Sequence, residues 1–94
     1  MNIILTTSAI NWFKEELNIQ EGEFVRFFVR YGGCSTVQQG FSLGITKANK
    51  PLSIGTSIVV DDVTFYVEEE ELWYFNDHDL HVDYNKEKGE IIFR

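Results

Sequence analysis

The stretch Phe24-Val25-Arg26-Phe27-Phe28-Val29-Arg30-Tyr31-Gly32-Gly33-Cys34-Ser35 decides the fold. Its first eight residues are aromatic, β-branched or arginine, the composition of a strand. Alternation puts Val25, Phe27, Val29 and Tyr31 on one fully apolar face and Phe24, Arg26, Phe28 and Arg30 on a mixed one. Gly32-Gly33 then breaks the strand and presents Cys34 in a loop. Glycines there let the backbone turn tightly and expose amide N–H groups toward a thiolate or an anion. The alternative is a simple turn with Cys34 as a small half-buried hydrophobe.

Strands continue on both sides. Phe41, Leu43 and Ile45 alternate with polar or small residues, predicting a second strand with one buried face. The polar Lys47-to-Pro51 segment reads as a surface connection. Ser57–Val60 and Val63–Val67 flank Asp61-Asp62 and predict a hairpin of open turn type. Leu80, Val82 and Tyr84 form a further strand, and Glu90 to Arg94 a terminal one after the turn 85–89. Before all of these, Ile3–Leu5 reads as a short strand. Thr6-Thr7-Ser8 can cap a helix whose apolar stripe is Ala9, Trp12, Phe13 and Leu17. The acidic run Glu68–Glu71 starts a second, two-turn helix through Leu72-Trp73-Tyr74-Phe75, with carboxylates favoured at its N-terminus. The expectation is one α+β domain over residues 1–94, mostly β, with an N-terminal helix and a short second one.

Composition narrows the function. The 94 residues are 44% hydrophobic and 15% aromatic, enough apolar matter for one small core. No run approaches the roughly 20 apolar residues of a membrane span, and the opening residues lack the basic and apolar regions of a signal peptide, so no membrane and a cytoplasmic location are expected. The net charge is −7, and residues 61–94 carry eleven acidic side chains against three basic ones. That balance excludes nucleic acid as a natural partner and suits a solvated surface or a basic protein partner. Cys34 is the single cysteine, so no internal disulfide forms and no complete thiolate metal site fits within one chain.

Other constellations are weaker. His78 and His81 lie three apart in or beside a strand, where side chains point to opposite faces, so they read as surface histidines rather than metal ligands. Glu68–Glu71 fan around a helix axis and read as a solvated helix start. Leu72, Trp73, Tyr74 and Phe75 cannot all face one core from a short helix, which makes them a candidate dimer or partner interface. No phosphate loop, nucleophile elbow or dinucleotide fingerprint is present, and no second catalytic group stands near Cys34 in sequence; an enzyme is not expected.

The order Leu5-Thr6-Thr7-Ser8-Ala9, an amphipathic helix, then Val25 to Val29 running into Gly32-Gly33-Cys34-Ser35, resembles the HesB-like family that includes the A-type iron-sulfur cluster carriers. Val59-Val60-Asp61 and the stretch from Leu80 to Phe93 fit the same layout. The resemblance implies a compact β pseudo-barrel or sandwich with one prominent helix. It also implies a site in which Cys34 is joined by a Cys-Gly-Cys element near the C-terminus. This chain has no such element, and Thr36 stands where the family has a glycine after Cys-Ser.

Three functions follow. Cys34 of two chains in a homodimer holds iron or an iron-sulfur cluster, with Gly32, Gly33 and Ser35 shaping the loop, as an accessory to cluster assembly. Alternatively, the chain is a non-enzymatic interaction module that has lost the metal site and binds through the acidic half or Leu72–Phe75. The third is a thiol-based redox sensor resting on Cys34.

Overall fold

The computed structural model describes residues 1–32 and 40–94. Along these the chain runs β1 (Ile3–Leu5), α1 (Thr7–Glu16), β2 (Phe24–Tyr31), β3 (Phe41–Ala48), β4 (Ile54–Val60), β5 (Val63–Glu68), a 3₁₀ helix (Glu69–Phe75), β6 (Leu80–Asn85) and β7 (Glu90–Phe93). The strands form a four-stranded sheet of order β3-β2-β5-β4 and a three-stranded sheet of order β1-β6-β7. The mostly-β α+β architecture expected from the sequence is present.

The apolar face of β2 organises the interior. Phe27 is fully buried. It stacks on Phe65 of β5 at 6.3 Å and meets Phe13 of α1 edge-on at 6.1 Å and Phe93 of β7 at 5.9 Å. One phenyl ring therefore touches the helix and both sheets, which is why a chain this short relies on aromatic residues for its core. Helix α1 starts where hydroxyls allow: Thr6 is extended, and its Oγ1 accepts from the Ala9 N–H at 3.2 Å. The α1 stripe then buries Ala9 and Phe13.

The hairpin joining β4 and β5 turns through Asp61 and Asp62, whose φ angles of 49° and 63° are both left-handed, the signature of a type I′ turn. Aspartate tolerates that conformation by bonding locally. Lys14 of α1 forms an ion pair with Asp61 and ties the turn to the helix.

One expectation is corrected. Strand β3 runs on to Ala48, because Lys47 and Ala48 pair with Val25 and Phe24, so the connection begins later than its polarity suggests. The short second helix is present over Glu69–Phe75, wound as a 3₁₀ helix, and it ends at Asn76 in the left-handed region. Gly55 explains its approach: a Cβ there would stand 2.7 Å from Leu72 Cγ and 2.9 Å from the Glu69 backbone. The 3₁₀ helix thus lies on β4 closely enough to require glycine.

Asp83 closes the fold at the start of α1. Its Oδ1 accepts from the Tyr84 N–H at 2.8 Å and the Thr6 hydroxyl at 2.9 Å, and its Oδ2 from Arg94 at 2.8 Å. These contacts, the Tyr84 amide first, hold the Asp83 carboxyl below the usual carboxylate range. A depressed folded value stabilises the fold above the ordinary carboxylate pKa, about 3.9, and that contribution disappears as pH falls through the folded value. Unfolding curves taken from pH 7 down to pH 2 should show Asp83→Asn with a shallower acid loss of stability than wild type; identical acid limbs would contradict this role.

Candidate functional site

The residues on either side of the thiol-bearing stretch, Gly32 and Gly40, meet where β2 and β3 end. β2 and β3 stay paired to Tyr31 and Phe41, and just beyond them the Gly32 N–H donates to the Gly40 carbonyl at 2.7 Å. Gly32 and Gly40 have φ of +92° and +82°, conformations that favour glycine at both positions. Gly33, Cys34 and Ser35 lie outside the described residues.

An aromatic cluster stands where the two strands end. Tyr31 and Phe41 sit 5.3 Å apart between ring centroids, and Phe41 meets Trp73 edge-on at 5.4 Å. Tyr31 is 89% exposed and Trp73 53%. Tyr31 belongs to the apolar face of β2, yet it lies beyond the reach of the core that covers Val25 and Phe27.

Of the proposed patch, only Trp73 faces solvent. Tyr74 and Phe75 are buried in the core and pack edge-on at 5.0 Å, and half-buried Leu72 packs toward Gly55. The expected four-residue interface is corrected accordingly: the tight 3₁₀ winding turns Tyr74 and Phe75 inward and leaves one indole outside.

Glu71 is not solvated either. β5 pairs with β2 only from Phe24 to Arg26. Beyond that, Glu71 Oε2 accepts from the Val29 N–H at 2.7 Å while its Oε1 takes Arg26 Nη2 at 2.5 Å. The carboxylate, 12% exposed, replaces the missing strand with one backbone bond and one charge-assisted pair. That hydrogen bond raises the Arg26 guanidinium pKa against the opposing effect of burial. Arg26 also lies 6.0 Å from the Phe28 ring centroid, and its Nε is buried without a partner among the described residues. Nearby Tyr66 is buried, which pushes its phenol up. Arg26 on a strand signals a need for a counter-ion, but nothing in the spacing selects Glu71 from four consecutive glutamates. Tyr31 and Phe41 were legible as strand residues and not as a surface pair, since their meeting depends on register.

The donor set does not fit an iron-sulfur cluster held by one chain. The sequence supplies one cysteine, and among the described residues no three His, Cys, Asp or Glu side chains are grouped to hold a metal ion. His78 and His81 are exposed. Among the described residues no helix is long and apolar enough to cross a membrane.

A strand-rich fold with one cysteine in the sequence between Gly32 and Gly40 has a family. The model described as iron-sulphur cluster biosynthesis matches residues 1–94, and the chain belongs to that family, the HesB-like family. It is 50% identical over 93 residues to a Bacillus subtilis protein called pyruvate dehydrogenase inhibitor, covering 99% of this chain and 97% of that one. It is also 42% identical over 95 residues to an uncharacterized protein of Staphylococcus saprophyticus, and 40% identical over 95 residues to one of Staphylococcus aureus, in each case across 99% of this chain and 97% of the relative. No solved structure matches the chain.

Removing the Glu71 carboxylate leaves a partly buried guanidinium and a backbone amide without their acceptor. Glu71→Ala should cost about 2–3 kcal/mol in urea unfolding, and Glu71→Gln less, because an amide oxygen still serves Val29. A loss below about 0.5 kcal/mol for Glu71→Ala would contradict the clamp.

Proposed function

We propose that this chain is a non-enzymatic regulator that acts by binding another protein, and that its target is a pyruvate dehydrogenase. The observation that carries the reading is the 50% identity, over nearly the whole of both chains, to a protein called pyruvate dehydrogenase inhibitor. The surface is consistent with it. Tyr and Trp are the residues that most often carry binding energy at protein interfaces, and here Tyr31 and Trp73 stand together outside the core. A single thiol per chain leaves little for a cluster and takes nothing from a binding surface.

The test is direct. Purified chain added to the pyruvate dehydrogenase complex of its own cell should lower pyruvate-dependent NADH formation in a saturable way. An unchanged rate at every concentration of a chain shown to be folded by circular dichroism would overturn the reading.

Family membership favours a second reading, in which Cys34 of two chains in a homodimer holds iron or a cluster as cargo. Two thiolates underligand such a site unless other donors complete it, so binding is weak. Anaerobic treatment with iron and sulfide should then give a visible chromophore that elutes as a dimer and is lost in Cys34→Ser. Colourless, metal-free protein in both forms would remove this reading.

A further inference from the structure

We infer that Tyr31, Phe41 and Trp73, with Glu70 one turn before Trp73 on the outer face of the 3₁₀ helix, form the surface on which the target's basic segment docks, one carrying exposed arginine or lysine. The inference rests on the reading of the chain as a protein-binding regulator and adds where it binds and to what chemistry.

The three rings form a continuous aromatic surface drawn from three separate elements: β2, β3 and the 3₁₀ helix. In a 3₁₀ helix, side chains three apart lie on one face, so Glu70 and Trp73 share the outer face of the segment one turn apart, and both are exposed. Exposed aromatic faces attract a guanidinium or ammonium, and a neighbouring carboxylate adds a charge-assisted bond to the same group.

Charge selects the occupant. Among the described residues Arg26, whose side chain reaches the 3₁₀ helix, is held by Glu71, whereas Glu70 and Asp77, which precede and follow Trp73, are in no ion pair. Arg30, the nearest cation along β2, belongs to the opposite face of that strand, against Gly44. The net charge of −7 on the chain disfavours an acidic partner. A second copy docked here about a two-fold axis would bring the same carboxylates together, and that repulsion disfavours it. A basic segment is the occupant that both the rings and the charge accept.

The experiment measures binding of wild type, Tyr31→Ser, Trp73→Ala, Glu70→Lys and Glu15→Lys to immobilised pyruvate dehydrogenase complex at low and at physiological salt. Tyr31→Ser and Trp73→Ala should each weaken binding about tenfold or more. Glu70→Lys should weaken it roughly fivefold at low salt and flatten the salt dependence. Glu15→Lys makes the same charge change on exposed α1 and should bind nearly as wild type. Tyr31 is so exposed that Tyr31→Ser keeps the fold and stays informative should Trp73→Ala unfold. Wild type that binds while Tyr31→Ser and Glu70→Lys bind equally well overturns the docking surface and leaves the regulator reading standing. Equal weakening by Glu15→Lys and Glu70→Lys also overturns it, since the effect would then be one of net charge. Wild type that does not bind overturns both.

Discussion

Strand β2 is flanked by β3 along its whole length, but on its other side β5 accompanies it only from Phe24 to Arg26, and the Val29 amide beyond that point meets no strand. A backbone N–H left without an acceptor inside the fold is costly, and so is a partly buried guanidinium. Glu71 answers both with one carboxylate. Because Glu71 lies inside the 3₁₀ helix, satisfying β2 also pins that helix against the sheet. Leu72 then seats over Gly55, Tyr74 and Phe75 enter the core, and Trp73 is left outside against Phe41. The exposed indole follows from the constraint on the strand.

Much of this was legible in the sequence wherever periodicity and burial agree. The reading of Phe24–Tyr31 as a strand holds to the residue, since its inward face must cover Phe13 and Phe65. The helix start at Thr6 and the hairpin around Asp61-Asp62 were readable because capping and left-handed turns have local chemistry. The family too was readable, from the strand running into Gly-Gly-Cys-Ser. What was not legible depended on distant residues. Glu68–Glu71 read as a solvated run because a carboxylate's partner on another strand leaves no mark in its own neighbourhood, and the 3₁₀ winding follows from contact with Gly55 rather than from helix propensity. Cys34, with Gly33 and Ser35, lies outside the described residues, and its role rests on the sequence and the family.

The chain thus joins the fold of a cluster-biosynthesis family to a donor set too small for a cluster within one chain. Function resides in sites grafted on folds, so the fold alone does not decide between cargo and partner. The aromatic cluster and the acidic second half weigh toward a partner, and the target proposed for it is taken from the likeness to a protein called pyruvate dehydrogenase inhibitor. The most direct measurement is pyruvate dehydrogenase activity in the presence of Cys34→Ser prepared free of metal. The account predicts inhibition equal to that by wild type, because the interaction belongs to the folded surface. Loss of inhibition in a folded Cys34→Ser chain would contradict it and place the function on the thiol.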